Sequence, residues 1–158
     1  MSDLATLLRQ VQQRSSEYTG CSPEQALTYA CEDIVETEYG SRELSSDEYT
    51  QWLQAVCDRE DLDLPAVQVT RSSRGIAASA SLELHSICVR GRHTTTATLL
   101  HEVAHLSCGA QSHGVLFRDE FVRLVRFHIS VSYAALLHTL FTAAGLEMSP
   151  WQASTSRR

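Results

Sequence analysis

Apolar residues recur at helical spacing through the first third of the chain. Between residues 3 and 17, Leu4, Leu7, Leu8 and Val11 fall on one stripe, the i, i+3, i+4, i+7 pattern of an amphipathic helix. A second helix is predicted from Ser22-Pro23-Glu24, where Ser22 can cap the first free N–H groups and Pro23 suits the first helical position. Its inward stripe is Leu27, Ala30 or Cys31, Ile34 and Val35, and Gly40 ends it. A third is predicted to begin at Ser45, because Ser45-Ser46-Asp47-Glu48 has capping-box spacing. Tyr49, Trp52, Leu53 and Val56 are its expected buried face.

The period then changes. Ala66-Val67-Gln68-Val69-Thr70 alternates and is β-branched, which predicts a strand. Arg71 to Gly75 is a polar turn. Ile76 to Ser81, small throughout, is a short or edge strand, and Leu84 to Val89 is a third, ended by Arg90-Gly91. Such closely spaced strands predict a small, mostly antiparallel sheet. Helical spacing returns over Thr94–Cys108, with Thr94 or Thr95 as cap and Gly109 as the left-handed stop. Val115–His128 and Val131–Ala144 follow, the latter closed by Gly145. Helices, then a sheet, then helices describe an α+β fold. The expectation is one domain over residues 1–148, with a helical part to residue 63 and a sheet-plus-helix part from 64. Residues 149–158 form a flexible tail.

Composition narrows the setting. The stretch from Ile129 to Leu146 has no formal charge, but Ser130, Ser132, His138, Thr139 and Thr142 interrupt it, so a buried helix is expected rather than a membrane span. The formal charge of -6 is uneven: residues 1–63 hold 14 of the 19 acids, and residues 64–158 hold 9 of the 13 bases, all arginines. An acidic helical face beside a mildly basic half is the plain reading. No arginine cluster is dense enough to support a nucleic-acid partner. The five cysteines, Cys21, Cys31, Cys57, Cys88 and Cys108, are odd in number and form no Cys-x-x-Cys, which argues against a disulfide framework or a zinc ribbon. With no basic-then-apolar start, a cytoplasmic protein is expected.

His101-Glu102-Val103-Ala104-His105 carries the chemistry. On a helix, i and i+4 lie about 40° apart, so both imidazoles leave one face and can bind one Zn2+. Glu102, about 100° round from His101, can stand beside the metal as the base for a metal-activated water. A catalytic site needs a third protein ligand. His113 is the first candidate: Gly109 breaks the helix, Ala110-Gln111-Ser112 is a short return, and Gly114 would allow a close backbone approach. Cys108, on the metal face of the same helix, and Asp119 or Glu120, from the next helix, are the rivals. His85 and His93 could orient a ligand or stabilise an oxyanion, and Arg74, Arg90 and Arg92 could touch substrate, although ordinary surface roles fit all five. His128 and His138 read as core histidines on helices.

His101-Glu-Val-Ala-His105 followed by His113-Gly-Val-Leu-Phe117 resembles the core of SprT-like and WLM-type zincin metallopeptidases. There a His-Glu-x-x-His helix precedes a helix start of the form His-Gly-x-x-Phe. The wider layout, with Phe121 and a closing helix at Gly145, resembles small metallohydrolases of actinobacteria and their phages. The motif spans residues 101–117 and the looser likeness residues 65–146. The resemblance implies a zincin-like minimal metalloprotease core, Zn2+ on His101, His105 and His113, and Glu102 as catalytic base. The chain departs from Spartan-type members in lacking a zinc ribbon and a basic DNA-binding extension, so repair of DNA–protein crosslinks does not carry over. The expected function is zinc-dependent hydrolysis of a peptide bond or related amide in a peptide or protein substrate. The alternative is a zinc-containing regulatory or protein-binding module with little hydrolysis. Glu102 and the lack of four clear ligands disfavour a purely structural zinc.

Overall fold

The computed structural model describes residues 2–71 and 77–152. Two helices come first, α1 (Leu4–Ser15) and α2 (Pro23–Tyr39), capped by Asp3 and by Ser22. A short strand β1 (Glu43–Ser45) precedes α3 (Tyr49–Glu60). Three strands follow, β2 (Ala66–Thr70), β3 (Ala78–Ser81) and β4 (Ser86–Arg90). A last short strand, β5 (His93–Thr95), runs directly into α4 (Thr96–Cys108). The chain closes with α5 (Val115–His128) and α6 (Val131–Ala143). The α+β class expected from the pattern is the class observed.

Two local expectations are corrected. The third helix starts at Tyr49, not Ser45, because Leu44 is fully buried and pairs with Thr94 in a β1–β5 ribbon. Half of the expected capping box survives. The Glu48 carboxylate accepts the Ser45 N–H at 2.9 Å, but it closes a turn before the helix. The sheet is mixed rather than mostly antiparallel, with order β2-β4-β3. β2 pairs parallel to β4 over five residues, and β3 lies antiparallel on its other side. The chain from β2 reaches β3 first and only then returns to fill the centre. Strand spacing alone carries no information about that order.

The core joins the helices to one face of the sheet. Leu7 and Val11 of α1, Cys31 and Val35 of α2, Ile87 and Val89 of β4, Phe117 and Phe121 of α5, and Leu137 and Phe141 of α6 all belong to it. α4 packs on α5 and beside β3, while α5 packs on α6 and α2 on α1 and α6. No helix among the described residues is long and apolar enough to cross a membrane. None of the five cysteines is in a disulfide.

Ile76, Arg74 and most of the expected turn before it lie outside the described residues, as do residues 153–158. Residues 149–152, expected to start a flexible tail, are tied to α5 and α6. Ser149 donates through its N–H and hydroxyl to Asp119 at 3.0 and 2.5 Å. His138 donates to the Ser149 carbonyl at 2.8 Å, and the Arg126 guanidinium lies over the Trp151 ring.

Candidate metal centre

The helix that carries the motif is fixed first at its N-terminus. The Thr95 hydroxyl accepts the Thr98 N–H, the Arg42 carbonyl accepts that of Thr96 and the Ser41 hydroxyl that of Ala97. Thr95 of β5 and the two residues just before β1 therefore satisfy groups that a helix start otherwise leaves free. From there α4 runs through the interior. Every residue from Leu99 to His105 is buried. A surface helix with two incidental histidines would look different.

Gly109 ends α4 in the left-handed conformation, at φ 67°. That stop turns the Ala110 carbonyl back onto His105, whose Nδ1–H donates to it at 2.7 Å. The chain then carries His113 to the same point from another direction. The His113 Nε2 lies 3.0 Å from Nε2 of His101 and 3.2 Å from Nε2 of His105. Ligands about 2.0–2.1 Å from a tetrahedral zinc are roughly 3.3–3.4 Å apart, so these separations suit a shared ion to within a few tenths of an ångström. Gly114 makes no close approach. A Cβ there would meet only the Ser112 hydroxyl at 3.9 Å, and the residue is the N-cap of α5.

The tautomers sharpen the point. His105 must carry its proton on Nδ1, because the Ala110 carbonyl can only accept. His101 directs Nδ1 at the Glu32 carboxylate, 2.8 and 3.0 Å from its two oxygens. Both rings then turn Nε2 towards His113, and neutral imidazoles offer lone pairs there. The three atoms can share one proton, carried on Nε2 of a neutral His113, and a metal ion could take the same place. Burial, reinforced by the His101 charge, pushes His113 down to about 3, and burial pushes His105 down to about 4, so both are unprotonated bases at neutral pH. Burial works against a charged His101 too, but the Glu32 carboxylate outweighs it and raises that imidazole above its ordinary value. A metal ion held by the three Nε2 atoms would displace any proton between them.

Around this point the walls are aromatic. Phe117 is fully buried and stacks on His105 at 4.4 Å between centroids, with His101 at 4.6 Å and His113 at 4.9 Å. Tyr29 of α2 meets His113 edge-on at 4.9 Å. Such walls keep water from competing for the imidazoles and hold their rotamers. Glu102 is 5% exposed. Burial, helped by the Glu32 charge, raises its carboxyl above the usual range, against a lowering from His101 and a small one from the Ala80 N–H. A carboxylate moved in this direction is a better base near neutral pH.

The rivals lie elsewhere. Cys108 turns its thiol to the His105 carbonyl at 3.9 Å, and burial raises that thiol. Asp119 is engaged with Ser149, and Glu120 with Ser107 and Arg123. Among the described residues, His101, His105 and His113 form the one group that could hold a metal ion. His85 donates to the Asp63 carbonyl and His93 pairs with Glu43 on the exposed ribbon, so neither faces the centre. His128 is bonded to Glu60 at 2.7 Å in a buried pair with a partner of its own.

Three residues escaped the sequence reading. Glu32, which orients His101, sits one turn from buried Thr28 and one turn before buried Val35. An acid inside a buried stripe is a signal that could have found it. Tyr29 had only its neighbours to recommend it. Arg118, 1% exposed, donates to the His113 carbonyl at 2.6 Å, to Glu24 at 2.7 Å and to the Glu147 carbonyl at 2.9 Å. It fastens the loop that brings in the third histidine, and nothing local in the sequence marks it. Removing the Glu32 charge should weaken the centre. Glu32→Gln is expected to lower zinc affinity by about 10–100-fold, the usual cost of losing a carboxylate behind a ligating histidine. Competition with a chromophoric chelator measures it, and unchanged affinity would deny Glu32 this role.

No family model matches the chain, and no curated protein or solved structure matches it.

Proposed function

We propose that this protein is a zinc-dependent metallohydrolase with a zincin-like core, acting as a peptidase on a peptide or protein substrate. The observation that carries this reading is the convergence of three Nε2 atoms on one buried point, with the buried Glu102 carboxylate on the same helix. Imidazole ligands suit several first-row metals. Three histidines with a position left open match the catalytic rather than the structural zinc arrangement. Zinc held there supplies a Lewis acid and makes water nucleophilic at neutral pH. The remaining roles belong to the chain. Glu102 accepts a proton from the attacking water and delivers it to the leaving nitrogen. Glu32 and the Ala110 carbonyl hold His101 and His105 in their working tautomers. Phe117 keeps the imidazoles packed.

A substrate strand has a natural place. β3 is an edge strand beside α4, and its small residues Ala78, Ser79 and Ala80 leave room for an extended peptide to add by main-chain pairing. Gln111 donates to the Ala80 carbonyl at 3.2 Å, so that side chain would swing away on binding. Zinc-loaded full-length protein incubated with unfolded β-casein is expected to yield new peptide termini. The yield should fall to background after chelation and return with zinc. Absence of cleavage across a range of unfolded proteins, with zinc bound, would reject the peptidase reading.

A further inference from the structure

Hydrolysis of an amide needs two things beyond a base. The attacking oxygen bonds to the carbonyl carbon, and the C=O π electrons move to the carbonyl oxygen, which needs a donor aimed at it. The attacking water's proton passes through Glu102 to the nitrogen as the C–N bond breaks. The donor for the oxyanion has to be found among groups that face the three histidines.

Most donors nearby are already committed. The Arg118 guanidinium is buried behind the loop and engaged with Glu24, His113 and Glu147. His85 and His93 point to other partners. Gln111 is bound to β3. Tyr29 remains. Its ring lies against His113 at 4.9 Å and along His101 at 5.8 Å. Its hydroxyl accepts the Gln25 side-chain N–H at 3.1 Å. Gln25 and His113 together line a cleft of about 240 Å³, with Ser22, Gln111 and Gly114. The hydroxyl therefore stands one hydrogen bond behind the wall that Gln25 and His113 give that cleft. Gln25 uses the oxygen's lone pair, and the Tyr29 O–H has no acceptor among the described residues.

We infer that Tyr29 donates its O–H to the oxyanion that develops on the substrate carbonyl, with Gln25 setting the direction of that hydroxyl. The inference rests on the hydrolase reading. The phenol keeps its proton throughout and acts as a hydrogen-bond donor. α2 thus serves the centre twice: Glu32 behind a ligand and Tyr29, one turn earlier, before the reacting carbonyl.

Tyr29→Phe removes the donor and keeps the ring that packs on His113. Loss of one oxyanion donor lowers kcat by roughly 10²–10³-fold, and that fall is expected on β-casein with KM changed by less than about twofold. Gln25→Ala should lower kcat only about threefold to tenfold, the effect of one lost neutral hydrogen bond. A second readout does not depend on turnover. In cobalt-substituted protein, inorganic phosphate, a tetrahedral anion, and azide, a linear one, are titrated by their effect on the visible spectrum. Tyr29→Phe should weaken phosphate about tenfold, as loss of a hydrogen bond to a charged partner does, and leave azide unchanged. Equal affinities of wild type and variant for phosphate, or equal weakening of both anions, would overturn the role of Tyr29. So would zinc lost from Tyr29→Phe, which would make the residue structural. If wild type cleaves nothing, the peptidase reading fails, and the phosphate–azide comparison still decides whether Tyr29 reaches an anion at the centre.

Discussion

Glu102→Gln is expected to retain one zinc per chain and to lose turnover by about 10²–10⁴-fold, the range for a removed general base. The substitution is nearly isosteric. The side chain is buried among residues of α4 and β3, and its neighbour His101 takes its second contact from Glu32. The three Nε2 atoms therefore keep their places. What disappears is the ability to take a proton, since an amide oxygen is too weak a base at neutral pH. The measurement pairs elemental analysis with β-casein cleavage. If a biological effect of this protein survives Glu102→Gln unchanged, the alternative of a zinc-bearing protein-binding module replaces the enzyme.

His113→Ala is expected to have the larger effect on the metal itself. His101 and His105 reach the shared point from one helix, and His113 approaches it from beyond the Gly109 stop. Losing it leaves two ligands one turn apart, a poor fit to tetrahedral coordination. Zinc affinity should fall by more than the ~100-fold that outer partners command, and activity should vanish at ordinary zinc levels. Cys108→Ala and Glu120→Ala are the controls. Both side chains are occupied away from the centre, so zinc affinity should stay within a few-fold of wild type. Metal retained by His113→Ala and lost from Cys108→Ala would reverse the assignment.

What could be read from the chain, and what could not, follows from the range over which residues act. The helix from Thr96 to Cys108, its Thr95 cap and its Gly109 stop are local features, and local spacing revealed them. His113 could be proposed because a short loop limits where it can go. The parallel pairing of β2 with β4 has no local cause. It depends on β3 crossing to the far edge. No strand is legible at Leu44, because its partner, Thr94, is 50 positions away. Glu32 lies 69 positions from His101, and Glu24 lies 94 from Arg118. Such pairings are made by packing α2 against the later helices, and no period or cap encodes them.

Arg118 has a further consequence. One guanidinium holds the His113 carbonyl on one side and the Glu147 carbonyl on the other. The loop that carries His113 and the segment that leaves α6 therefore share one anchor. An ion that steadied His113 would also steady residues 147–152, and by reciprocity a partner that pulled that segment away would loosen the ion. The far end of the described chain is, in this sense, a handle on the centre.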